Sequence, residues 1–552
     1  NYSWIHQKNI LEVLKDKNKL DPEVKEYLIQ ENKYVDFHLK DTKDLQKNLF
    51  DEIKGRIKLD DESLPFRDND YDYWTKTTTE GNYSIKLRKK INSNIIEEIW
   101  NGDKEKEKLK VEYFGVGDLE VSHNDKLLAY SLDIKGSEYY TIYIRDIASN
   151  KIISREIIDT SGGITFSLDD KFIFYSKLDE NHRARKIYRH RIGNYKEEDE
   201  LIFEEKSDAF TVSISLSSDE KYFFISSSDH NTSEQYYFNV DAKVPEPKLI
   251  IKREKGIIYS VSSWDNKFYN HTNKGAEDFK IDVSESLEKQ NWLPFVPAKN
   301  EVLVGGCVFL KNWIIRSETS NALDKLFVKN ISSGLEEELT FTDEKVFVPS
   351  VSLKQKNRDT HDIYVGFSSP KSPSRVYSYN LLNKSKKLEK EQEIPSGHNP
   401  DDYIVERIEF KSHDGRLVPL TITRHKKTQI DGSANLLLYG YGSYGNSMSP
   451  SFSSTRLSLI NRDIIWATAH IRGGMEKGMK WWKEGKLTNK KNTFEDYIYA
   501  AKYLIDKKYS SKGKIIGMGG SAGGLLMGAV VNKAPELFLG IVMAVPFVDS
   551  LT

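Results

Sequence analysis

The 552 residues carry 82 Lys plus Arg against 83 Asp plus Glu, a net charge of −1, so no global field draws the chain to nucleic acid or to an anionic membrane. Aromatic residues make up 12%, which argues against a disordered chain, and the length predicts about three or four domains. The single cysteine, Cys307, rules out an internal disulfide and a cysteine zinc site, and it suits a reducing cytoplasm. The longest apolar stretch, near 537–548, is interrupted by Pro546 and falls short of the ~20 residues of a membrane-spanning helix. No signal-type start is visible, and the first residue is Asn rather than Met.

The first section predicts helices. Asp21 followed by Pro22 makes an N-cap with proline at the first helical position. Val24, Tyr27 and Leu28 recur at helical spacing, and Leu39, Leu45 and Leu49 extend the pattern to about Ile57. Residues 1–65 are expected to be a helical segment that packs on something larger.

From Tyr71 to Leu388 the helical spacing fades, and short aromatic and β-branched runs alternate with Asp, Asn, Gly and Ser turns. A weak repeat runs through them: a turn with an acidic or amide residue, then lysine, then an apolar run. Its lysines are Lys126, Lys171, Lys221, Lys267 and Lys311, at spacings of 45, 50, 46 and 44. Periods of about 40–50 residues with several strands each are the mark of propeller blades. Residues 66–396 are thus expected to form a β-propeller of about seven blades. A stack of separate β-sandwiches is the competing reading, and the near-constant period favours blades.

From 397 the pattern becomes α/β. Strands are predicted at 404–410 and 417–423 around the turn Asp414-Gly415, and at 436–439, 464–467, 514–518 and 541–545. Asn492-Thr493 is expected to cap a helix whose apolar face is Phe494, Tyr497, Ile498, Ala501 and Leu504, and 522–531 reads as another helix. Alternating strand and helix predict a layered α/β domain.

Between the strand at 514–518 and the helix at 522–531 lies Gly519-Gly520-Ser521-Ala522-Gly523, which fits G-x-S-x-G, the nucleophile elbow. A serine on a tight turn projects its hydroxyl above the sheet. Gly519 and Gly523 lack Cβ atoms and let backbone pass close by. The helix that follows aims N–H groups, that of Ala522 first, where an oxyanion would form. An ordinary strand-to-helix turn is the plainer alternative, and the strand–turn–helix context favours the elbow. Such a serine needs a histidine base and a carboxylate to orient it. No histidine follows His470. His470 is the local candidate, although a polar residue beside a turn is its simpler reading, and Asp549 follows the serine only at the end of the next strand.

These motifs resemble the prolyl oligopeptidase family. The resemblance rests on Tyr439-Gly440-Tyr441-Gly442-Ser443-Tyr444-Gly445, on Ala469-His470-Ile471-Arg472-Gly473-Gly474-Met475-Glu476, on Trp481-Trp482-Lys483-Glu484-Gly485-Lys486, on the elbow, and on Val545-Pro546-Phe547-Val548-Asp549. Tyr-Gly-Ser-Tyr-Gly is similar to the oligopeptidase B (protease II) branch. The resemblance implies a propeller lid over an α/β-hydrolase domain, with 1–65 packing on the hydrolase part at 397–552. It implies a serine-type oligopeptidase that cuts short peptides after Arg or Lys, with Ser521 as nucleophile and with the Tyr441 hydroxyl and the Ala522 N–H as oxyanion hole. No cofactor, metal, nucleic acid or membrane is implied.

Two departures shape the expectation. The chain looks truncated after the elbow, so the family's triad Asp and His have no counterpart here. The family's acidic pair for the neighbouring substrate residue falls on Ser449 and Ser451. This chain alone is therefore expected to be inactive unless a complementing C-terminal chain supplies Asp and His, with an exposed apolar edge at the 541–545 strand. A decayed remnant and a non-catalytic propeller binding module are the alternatives.

Overall fold

The computed structural model describes residues 3–195 and 198–548. The chain divides into two compact units. The first runs through Lys47 and takes in Leu59–Thr272 and Asp282–Pro294; the second holds Asn48–Lys58, Asn273–Ile281 and the chain from Phe295 onward.

In the first unit the helix Pro22–Leu39 starts as its sequence predicts: the Asp21 side chain accepts the Glu23 N–H, and proline occupies the first turn. Only Val24 of this helix is buried, while Tyr34, Val35 and Phe37 are exposed.

The strands between Asp61 and Glu391 make six sheets, of five, eight, four, four, four and four strands. Within them strands pair antiparallel, mostly with the next strand in sequence, such as Thr211–Leu216 with Tyr222–Ser228 and Tyr222–Ser228 with Ser233–Asn239. Such meanders are what blades are made of, and the propeller reading holds in that coarser form. The count of about seven separate blades does not hold. Two repeats share the eight-stranded sheet, because the ten-residue strand Ile157–Phe166 reaches back to pair with Tyr140–Asp146 at Ile157↔Ile142 and Thr160↔Tyr140.

Successive side chains of a strand point to opposite faces. Phe223 and Phe224 are nevertheless 1% and 3% exposed, so their sheet is covered on both sides. Phe223 packs with Phe174, Ile187 and Val212, and Phe224 with Tyr237, Val261 and Phe268. This two-sided burial explains apolar runs without alternation. The repeated turns explain the acidic and amide residues. Asp125, Asp170, Glu220 and Asn266 all have positive φ, between 54° and 62°, a region that Asn and Asp tolerate better than most side chains.

In the second unit a six-stranded sheet runs in the order Tyr403–Lys411, Leu417–His425, Ile465–Ala469, Leu436–Tyr439, Ile515–Gly520, Phe538–Ala544. Its last four strands are mutually parallel. The helix Lys491–Asp506 buries Tyr497, Ile498, Ala501 and Leu504 against the sheet, and the helix Ala522–Lys533 buries Leu526, Met527 and Val530. On the final strand Leu539, Val542 and Met543 are exposed. Glu52 and Arg56 dock on this unit: Arg56 donates to Ser458 Oγ, and Glu52 takes a guanidinium nitrogen of Arg462 at 2.7 Å. Among the described residues no helix is long and apolar enough to cross a membrane.

Candidate active site

The strand Ile515–Gly520 ends at Ser521, where the backbone turns with φ 53° and ψ −119° before the helix Ala522–Lys533 begins. A non-glycine residue rarely occupies that region, and the surroundings hold it there. The Ser521 N–H donates to Ala544 O at 2.9 Å, and Ser521 O accepts from Gly524 N and Phe547 N at 2.8 and 3.0 Å. The turn is thus tied to the last residue of the strand Phe538–Ala544 and to the chain just after it. The Ser521 side chain is exposed and has no hydrogen-bond partner among the described residues.

The glycines permit the turn sterically. A Cβ on Gly519 would lie 2.3 Å from Gly523 O, and one on Gly523 would lie 3.0 Å from Gly440 O and 3.3 Å from Cδ2 of Tyr441. The predicted Gly519, Ser521, Ala522, Gly523 and Tyr441 therefore converge at the C-terminal ends of parallel strands, where open α/β sheets bind ligands. Ala522 opens its helix, so its N–H is one of the first-turn donors that no preceding turn accepts.

The loop after Tyr441 is held from below. Gly442 has φ 66°, and a Cβ on Gly473 would lie 1.9 Å from Gly442 O. Lys490 donates to Gly442 O at 2.5 Å and to Ser443 Oγ at 2.7 Å. Burial pulls its ammonium down to about 8. Lys490 was not singled out in the sequence, where it reads as one more lysine before a helix. The predicted Asn492-Thr493 cap is corrected: the helix starts at Lys491, and its N-cap Lys490 makes no capping bond. Thr493 is instead buried, its hydroxyl donating to Arg472 O and Gly485 O, while Asn492 donates to Glu484 O. Arg472 is locked to Asp496 and Asp414, and these carboxylates raise its guanidinium further above its usual range against the opposing effect of burial.

His470 is fully buried, with Nε2 paired to Thr421 Oγ1 at 2.8 Å. Burial, and the Arg407 guanidinium after it, hold the imidazole well below its usual range. It is a neutral core histidine and makes no bond to Ser521. Ser449 and Ser451 lie on the same loop as Met448: Ser449 O accepts Ser451 N at 2.9 Å, and Ser451 O accepts from Arg456 at 2.9 Å. Beside them Glu476 is 2% exposed and accepts the Met448 N–H at 3.0 Å, and burial pushes its carboxyl up to about 7. In the sequence Glu476 is one letter of the run Ala469–Glu476, and only its burial distinguishes it. Asp549 lies outside the described residues.

A serine held in this way can present a hydroxyl to an electrophilic carbonyl, with a helix N-terminus and a tyrosine ring alongside. Comparison with known proteins agrees with that chemistry. The family described as "Prolyl oligopeptidase, N-terminal beta-propeller domain" matches residues 11–392, and "Prolyl oligopeptidase family" matches 450–552. Dipeptidyl aminopeptidase BI of Pseudoxanthomonas mexicana is 32% identical over 98% of this chain and 76% of its own length. Protease 2 of Moraxella lacunata is 31% identical over 98% and 78%. Among solved structures, oligopeptidase B from Trypanosoma brucei with covalently bound antipain superposes with a TM-score of 0.92 at 28% identity, covering 99% of this chain and 77% of that one. Oligopeptidase B from Leishmania major gives 0.93 at 27% identity over the same shares. The chain spans about three quarters of the length of these relatives.

Proposed function

The chain belongs to the prolyl oligopeptidase family of serine peptidases, and from that premise we propose that Ser521 is the nucleophile of a peptide-cleaving acyl-enzyme cycle. Ser521 Oγ attacks the scissile carbonyl, and its proton passes through a general base to the departing amine. The Tyr441 hydroxyl and the Ala522 N–H steady the oxyanion of the tetrahedral intermediate, and water then hydrolyses the ester. The observation that carries the reading is the strained turn at Ser521, where a Cβ at 519 would lie 2.3 Å from Gly523 O and one at 523 would press on Gly440 and Tyr441. The covalently bound antipain of the Trypanosoma brucei relative favours a covalent step.

The finer reading is a cytoplasmic endopeptidase cleaving short peptides after Arg or Lys, favoured by likeness to oligopeptidase B and protease 2. Its parts would be a propeller at 66–396 and a hydrolase domain at 397–552, with 1–65 packed on the hydrolase. Removal of dipeptides is the second reading, favoured by the name of the Pseudoxanthomonas relative. An N-terminally blocked Arg-amide substrate separates the two. No histidine is hydrogen-bonded to Ser521 among the described residues, so residues 1–552 by themselves are expected to show no steady turnover, while one-step capture of a strongly electrophilic probe asks only for a serine held beside an oxyanion hole.

The test is reaction of the purified chain with a fluorophosphonate probe, with Ser521→Ala as control. Labelling confined to Ser521 supports an activated nucleophile. A folded sample that stays unlabelled overturns the reading in favour of a remnant or a propeller binding module.

A further inference from the structure

The first unit contains a cavity of about 580 Å³, walled by the strands Gly115–Val121, Ile157–Phe166, Phe172–Leu178 and Thr211–Leu216 and by the turns beside them. That volume is in the range of small-ligand sites. Its titratable lining is two carboxylates, an imidazole and a phenol: Asp118, Glu138, His182 and Tyr140. No lysine or arginine lines it among the described residues, although the whole chain is balanced in charge.

Each group is placed for an incoming cation. Glu138 is exposed and forms no ion pair among the described residues. Asp118 accepts the Ile164 N–H at 2.9 Å and the Leu119 N–H at 2.8 Å, so its carboxylate is fixed in place. Lys86, a half-buried ammonium outside the lining, feels the charges of Glu120 and Asp118, and its own bond goes to Leu119 O at 3.2 Å. The Tyr140 ring is held flat against backbone: a Cβ would lie 2.8 Å from it on Gly117 and 3.1 Å on Gly162. Burial first, then neighbouring groups that include Asp133 and Glu138, raise its phenol above the usual range, so the ring stays neutral. A fixed neutral tyrosine face beside carboxylates suits a guanidinium or ammonium group. His182 Nε2 is buried without a partner.

A metal ion does not fit, because no three His, Cys, Asp or Glu groups converge as ligands among the described residues. An organic cation does fit, and a chain of a peptidase family meets such cations as arginine and lysine side chains. We propose that this cavity is a binding site for the basic side chain of a peptide, with Glu138 and Asp118 as the charge partners and Tyr140 as the stacking face. The site lies apart in sequence from Ser521, and its occupancy does not depend on the role given to that serine.

The test is calorimetric titration of the Ser521→Ala chain with the peptide acetyl-Gly-Arg-Arg-Gly-amide, with acetyl-Gly-Glu-Glu-Gly-amide as control. The arginine peptide is expected to bind more weakly as salt rises, and the acidic peptide not to bind. Adding Glu138→Gln, an exposed change that leaves the fold intact by circular dichroism, is expected to raise Kd about tenfold, as is Tyr140→Leu. No binding of the arginine peptide, equal binding of the acidic one, or an unchanged Kd in Glu138→Gln overturns the proposal. Labelling of Ser521 by the fluorophosphonate probe is read separately, so the two readings fail independently.

Discussion

Arg472 and Asp496 form a two-point ion pair sealed from water: Nη2 lies 2.6 Å from Oδ1 and Nε 2.9 Å from Oδ2, with side-chain exposures of 1% and 0%. Asp496 also accepts the Arg472 backbone N–H at 3.0 Å and a 2.5 Å bond from Ser412 Oγ. One carboxylate on the helix Lys491–Asp506 thus fixes the loop whose Gly473 presses on Gly442, the residue after Tyr441.

Removing Asp496 leaves the buried Arg472 guanidinium with Asp414, a partner whose side chain is 35% exposed. Asp496→Ala is expected to cost about 3 kcal/mol, read by urea unfolding of the variant against the parent chain. A loss below about 1 kcal/mol would mean that water reaches Arg472.

Glu476 predicts a pH effect of defined sign. Its folded carboxyl titrates at about 7, against an ordinary 4.5, because burial disfavours the ion. Between those values the unfolded chain has lost the proton and the folded chain keeps it, so this group makes stability fall as pH rises from about 4.5 to 7. Glu476→Gln is expected to flatten that segment of the melting-temperature profile, gaining up to about 3 kcal/mol at pH 8 relative to pH 5.

Glu52 predicts the opposite sign. The hydrogen bond from Arg462 leads the groups that hold its carboxyl down to about 2, with Arg56 assisting against desolvation. Its contribution is complete above about 4.5 and is lost as pH falls through about 2. Part of the side chain meets water, so Glu52→Gln is expected to cost only about 1 kcal/mol at pH 7 and nothing at the acid end. Melting temperatures from pH 2 to 7 check this.

Gly519→Ala places a methyl 2.3 Å from Gly523 O, a backbone atom that cannot swing away. The variant is expected to lose about 3 kcal/mol and any probe reactivity of Ser521, while Gly540→Ala, whose Cβ meets nothing within 4 Å, keeps both. Equal behaviour of the two would remove the steric account of the elbow.

Much of this was legible in the residues. The elbow could be read because its requirement is local: two glycines and a serine between an apolar run and a helix. The Asp21-Pro22 helix start was legible for the same reason. What escaped notice is set by tertiary partners. Thr493 looked like a cap until Arg472 O and Gly485 O claimed its hydroxyl. Lys490 and Glu476 matter through their burial, which a charged letter in a sequence conceals. The sheet count differed because Ile157–Phe166 is long enough to pair on both sides, and a repeat period does not record how far one strand extends.

The turns of the repeats also carry a consequence for how this architecture changes over time. Asp170, in one repeat, accepts the N–H groups of His123 and Asn124 in the preceding repeat, both at 2.8 Å. Asp219 likewise accepts the Ser263 hydroxyl of the following repeat at 2.8 Å, and Asp125 takes the Tyr73 hydroxyl at 2.6 Å. The repeats overlap like roof tiles, each fastened through its neighbour. Excising one would strip a carboxylate from one side and orphan donors on the other. Module number in such a chain is therefore expected to be inherited far more rigidly than the sequence of any single module.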